Sequence, residues 1–139
     1  MAVIILVNAL IFFLLGVIHL YWAFGGKWGM DVAVPTKGIR GEQLFKPGIV
    51  GTLVVAFGLF LFTVVTVGNL EVFGAHVPLE YIKKATIVIT CIFFLRAVGD
   101  FKYVGFTKKV KNTLFAKSDT LLFSPLCLYL CLTSLVIGM

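Results

Sequence analysis

The side chains able to do chemistry are few, and they are spread thinly through apolar sequence. His19 lies near the end of the first apolar run, with Tyr21 and Trp22 beside it. Arg96 and Asp100 stand one helical turn apart near the end of the third run, a spacing that permits a direct ion pair. Asp119 and Ser124 sit where the fourth run begins. Ionisable groups within membrane-crossing sequence are costly unless paired or hydrated, and they mark binding sites and proton relays more often than chance. His19 could act as an acid/base or a hydrogen-bonding group, and Arg96 could hold a phosphate or carboxylate. Each also has a purely structural reading: His19 bonded to a neighbouring helix, Arg96 clamped by Asp100.

Other constellations are missing. Cys127 and Cys131, at i and i+4, could hold a soft metal, yet no His or carboxylate shares their stripe. With Cys91 they read as small packing residues, so neither a metal site nor a cofactor is expected. His76 falls in a different loop from the one near His19, on the other side of the bilayer, which argues against paired ligation of a haem or zinc. No GxSxG, HExxH or Walker loop occurs, and no span carries paired carboxylates.

The elements that must position these residues follow from hydropathy. Sixty per cent of the 139 residues are hydrophobic and 13% are charged, and the mean hydropathy is +1.09. A soluble domain has an apolar share of about 45–50%. Four apolar stretches, 2–24, 48–68, 81–101 and 120–138, each match the roughly 20 residues needed to cross a bilayer. They predict an all-α, four-helix transmembrane bundle forming one domain over residues 1–139. Nine of the twelve Lys/Arg lie in two connecting segments: Lys27, Lys37, Arg40 and Lys46 in the first, and Lys102, Lys108, Lys109, Lys111 and Lys117 in the other. Basic loops stay cytoplasmic. Loops 25–47 and 102–119 are therefore expected on the cytoplasmic side of a cell membrane, with both termini outside. The first stretch lacks a basic leader and a small-residue cleavage site, so it is expected to remain as a span. Lys83 and Lys84 would snorkel to the outer interface. The net charge of +6 then faces the anionic inner leaflet rather than nucleic acid.

Finer features concern helix packing. Thr120, Ser124, Cys127, Cys131, Ser134 and Gly138 recur at helical spacing on the fourth span. Ala2, Ala9, Gly16 and Ala23 recur on the first, and Gly48, Thr52 and Ala56 on the second. Small residues let helix backbones approach, within one bundle or between two copies or a membrane-protein partner. Segment 103–114 looks amphipathic, with Tyr103, Phe106, Val110 and Leu114 opposite Lys108, Lys109, Lys111 and Asn112, and predicts a short interfacial helix. Ser118, Asp119 and Thr120 are expected to cap the fourth span. Pro125 is expected to free the Leu121 carbonyl. Asp100 shares a face with Thr86, Thr90, Phe93 and Ala97, so it is expected to point into the bundle. This topology gathers His19, Tyr21, Trp22, Arg96, Asp100, Asp119 and Ser124 at the cytoplasmic end, beneath a long first loop that also carries Asp31 and Glu42.

The strings HLYWAFGGKWG (19–29), RAVGDFKYVGFTKKV (96–110) and FAKSDTLLFSPLCL (115–128) resemble domain-of-unknown-function family 3995. The resemblance covers nearly the whole chain. It implies a small bacterial integral membrane protein of about four spans and no established activity. Two functional classes stay open. One is a non-enzymatic protein that binds a lipid or small amphiphile, or serves as a transport, immunity or accessory component. The other is a small membrane enzyme acting on a lipid or isoprenoid, with His19 as acid/base and Arg96 as anion holder. No span has a polar stripe long enough to line a pore.

Overall fold

Long apolar runs favour helix, because helix satisfies every backbone group where water is scarce. In a computed structural model that describes residues 1–37 and 42–139, four long helices form accordingly. They are α1 (Ala2–Ala23), α3 (Ile49–Gly68), α4 (Leu79–Val98) and α6 (Ser124–Gly138). Short helices α2 (Met30–Ala33) and α5 (Leu114–Ser118) lie in the connecting segments. A two-residue antiparallel pair, β1 (Thr36–Lys37) with β2 (Glu42–Gln43), flanks Arg40, which lies outside the described residues.

Three helical stretches are long and apolar enough to cross a membrane: Ala2–Ala23, Ile49–Gly68 and Leu114–Gly138. The last runs without a break from α5 through a π turn, Asp119–Phe123, into α6. Helix α4 is as long as α3 but carries Lys83, Lys84 and Arg96. Their outer faces are apolar. Leu6, Leu10, Phe13 and Val17 are exposed on α1, as are Val54, Phe57, Leu61 and Val64 on α3. Leu128, Leu132 and Leu135 continue the pattern on α6. A water-soluble monomer rarely exposes apolar surface on this scale.

α1 packs along α3, and α4 along α6. The two pairs meet through a core that includes Phe12, Leu59, Ile89, Phe93 and Leu130. The rings of Phe12 and Phe93 lie 5.3 Å apart, and Phe62 meets Phe12 edge-on. The small-residue rows do face inward. Ser124, Cys127, Cys131 and Ser134 are buried, as are Ala9, Gly16, Thr52 and Ala56. A Cβ at Gly16 would come within 2.9 Å of the Phe60 ring, and one at Gly138 within 2.9 Å of Ile87. The rows stop short of the ends, for Ala2, Gly48 and Thr120 are exposed. Cys91 also faces outward, so only two of the three cysteines pack in the core.

Polar clamps tie the pairs together. The Asn8 amide is fully buried and donates to Thr133 Oγ1 at 2.8 Å, joining α1 to α6. Asn69 donates to Thr86 Oγ1 at 2.9 Å, joining the end of α3 to α4.

The expected interfacial helix over residues 103–114 does not form. Gly99 and Gly105 both adopt positive φ, at 85° and 83°, and a Cβ on either would strike backbone across the turn. The chain therefore folds back on the end of α4, where the Phe106 N–H donates to the Ala97 carbonyl at 2.9 Å. The final helix instead starts at Leu114, where Thr113 Oγ1 accepts the Ala116 N–H at 3.0 Å. Thr113, rather than Ser118, Asp119 or Thr120, is thus its cap. The π turn is the local answer to Pro125, which has no N–H to give Leu121. Widening lets the Ser124 N–H reach the Asp119 carbonyl five residues back.

Candidate functional site

The polar residues expected at one end of the helices form two separate arrangements. The first centres on Asp119, which the π turn holds fully buried. Its Oδ1 accepts from Arg96 Nη2 at 3.1 Å, and its Oδ2 accepts from Lys108 Nζ at 3.0 Å and from the Gly105 N–H at 2.8 Å. Lys108 is itself buried and also donates to the Gly105 carbonyl at 3.0 Å. One carboxylate thus binds a side chain from α4, a side chain from the folded-back loop and the loop backbone. Charged partners with complementary hydrogen bonds offset the cost of removing such groups from water. Arg96 is about a third exposed, and its Nη1, like Ser124 Oγ, has no partner among the described residues.

The expected Arg96–Asp100 pair is not made, and Asp100 does not point into the bundle. Asp100 is exposed just past the end of α4, where Oδ1 accepts the N–H groups of Lys102, Tyr103 and Val104 at 3.0, 2.7 and 2.9 Å. Its slight burial pushes the carboxyl pKa upward, but the three N–H donors outweigh that and leave it below the ordinary aspartate value. Arg96 turns to Asp119 because the helix ends two residues after it, at Val98, before Asp100 can occupy the next turn. Lys108, assigned from sequence to a solvated face, is the residue that pattern reading missed. The signal available was only that Asp119 is the one acid in residues 102–119, which hold five lysines.

The second arrangement is hollow. His19 and Trp22 of α1 face Gly48, Gly51, Thr52 and Val55 at the start of α3 across a cavity of about 300 Å³. The first loop borders it with Met30, Ala33, Val34, Phe45 and Pro47 and leaves it partly open. None of Arg96, Asp100, Asp119 or Ser124 is among its lining residues. Tyr21 is exposed instead, and Gly26 packs against its ring. Asp31 and Glu42 are also exposed. His19 Nδ1 donates to the Leu15 carbonyl at 2.7 Å, and its ring meets Trp22 edge-on at 5.0 Å. Trp22 Nε1 donates to the Trp28 carbonyl at 2.8 Å, which pins the glycine-rich turn under the loop. The two arrangements lie side by side because α2 packs on α5.

Long apolar helices with apolar outer faces define a small helical protein of the membrane type. The chain belongs to the family described as a protein of unknown function, DUF3995, whose model matches residues 12–134. That match takes in both the His19 cavity and the Asp119 network. No curated protein and no solved structure matches the chain.

Proposed function

We propose that the chain is a four-span protein of the bacterial plasma membrane that binds a lipid or small amphiphile in the His19 cavity. Four spans require α4 to cross as well. Its outward row of Val88, Ile92 and Leu95 supports this, with Lys83 and Lys84 at one end and Arg96 paired at the other. The distribution of lysines then favours cytoplasmic loops and extracytoplasmic termini. A C-terminal reporter fusion should read as extracytoplasmic, and cytoplasmic activity would reverse the topology.

The observation that carries binding is the cavity itself. Its volume falls at the small end of the range for ligand pockets, about 300–1,000 Å³. Its walls are mostly apolar, and Gly51 and Val55 are exposed on the outer face of α3, which gives an acyl chain a way out into the bilayer. The enzymatic alternative needs Arg96 to hold an anion beside His19. Arg96 is engaged by Asp119 and does not line the cavity, so nothing in the geometry favours that reading. The test is mass spectrometry of lipids and small amphiphiles that co-purify with the chain, compared with the Gly51→Phe variant. A Cβ at Gly51 meets no atom within 4 Å, so the substitution starts from open space beside the cavity rather than from a packed helix contact. An amphiphile enriched in the wild type and depleted in the variant is expected. Identical profiles would contradict the proposal.

A further inference from the structure

The proton-donating side chains around the cavity have already spent their donors inside the protein. His19 Nδ1 lies 2.7 Å from the Leu15 carbonyl, which can only accept, so the ring proton is on Nδ1. In the neutral ring Nε2 is then an acceptor. The Trp22 N–H is committed to the Trp28 carbonyl, and the Thr52 hydroxyl proton to the Gly48 carbonyl at 2.9 Å. What these side chains still offer is acceptor capacity: His19 Nε2 and a lone pair on Thr52. No Lys or Arg is among the described lining residues.

Granting that the cavity takes an amphiphile, we infer that its ligand is an uncharged chain bearing a hydroxyl, a long-chain or isoprenoid-type alcohol, whose O–H donates to His19 Nε2. A carboxylate or phosphate would bring only acceptors to these side chains and would meet no neutralising cation among them. An ester would fill the space but bring no donor to Nε2, and so would forgo the hydrogen bond that an alcohol makes. The competing donors are the first-turn N–H groups of α3, which no side chain caps. They would favour an anion, and the experiment sets the two against each other.

Trp22 and Trp28 are the only tryptophans of the chain, and both belong to this region, so intrinsic fluorescence reports on it. The full chain in phosphatidylcholine nanodiscs is titrated with three chain-brominated quenchers: dodecanol, methyl dodecanoate and dodecanoate. They are compared at equal mole fraction in the bilayer. One added hydrogen bond predicts that the alcohol quenches at about three- to tenfold lower mole fraction than the ester or the acid. His19→Phe, which keeps a ring but loses the acceptor, should abolish that preference while chains still bind. The wild-type ranking stands as a test even if the variant fails to fold. Equal quenching by all three, or tightest binding of the carboxylate, overturns the inference while leaving amphiphile binding intact, provided Gly51→Phe removes the signal. Quenching by none of them, or quenching unchanged in Gly51→Phe, overturns the cavity reading as well.

Discussion

The Asp119 network and the His19 cavity lie at the same end of the helices, yet they are built on opposite plans. Around Asp119 the space is filled: both carboxylate oxygens are occupied, Lys108 is buried, and the loop backbone joins the cluster. Around His19 the space is open, and the residues that enclose it are apolar apart from groups that have spent their donors internally. The first arrangement uses charge to fix a loop against two helices. The second leaves room and an acceptor. Polarity alone therefore does not distinguish the two, and what separates them is whether paired charges or open space surround the polar groups.

The comparison breaks most readily at Asp119. Asp119→Asn leaves a buried lysine and a partly buried arginine without a counter-charge, and should cost about 3–5 kcal/mol in denaturant or thermal unfolding in detergent. A near-neutral result would mean that the network does not hold the loop. Replacing Lys108 and Asp119 together by Met and Leu should cost less than the sum of the two single changes, because it removes both buried charges at once. By contrast, a cycle on Arg96 and Asp100 should be additive. Arg96→Gln should cost about 1–3 kcal/mol, toward the lower end because its side chain is about a third exposed.

Smaller changes sharpen the picture. Asn8→Leu removes a neutral clamp between α1 and α6 and should cost about 0.6 kcal/mol and at most about 1.7, the average and the maximum for polar pairs between membrane helices. Asp100→Ala should lower hydrogen-exchange protection of the Lys102, Tyr103 and Val104 amides with little effect on global stability. Because the Asp100 pKa is depressed on folding, its contribution is full above the unfolded value of about 3.9 and is lost as pH falls through the lower folded value. Protection of these three amides should therefore converge with that of the variant only in strong acid.

Much of the fold was legible because apolar run length is a strong signal. The expected stretches 2–24 and 48–68 match α1 and α3 to within a residue. The row of Ser124, Cys127, Cys131 and Ser134 was readable from spacing alone. What failed were the segments where a few residues override periodicity. Positive φ at Gly99 and Gly105, with Asp100 gathering three N–H groups, turned an apparent amphipathic helix into a folded-back loop. That turn brought Lys108 onto Asp119, a contact across eleven residues that helical spacing cannot foresee. His19 and Trp22 were singled out from residue type, but that both line one cavity with α3 depends on how the first loop lies against the helices, which run length and spacing do not show.

The most direct test is the shift in thermal midpoint that a saturating long-chain alcohol produces, compared between Arg96→Gln and Gly51→Phe. Our reading predicts that Arg96→Gln unfolds at a lower temperature but keeps the ligand-induced shift, whereas Gly51→Phe keeps its midpoint and loses the shift. If Arg96→Gln instead abolished the shift while leaving the midpoint unchanged, Arg96 would belong to the ligand site, and the division between a filled network and a hollow one would be wrong.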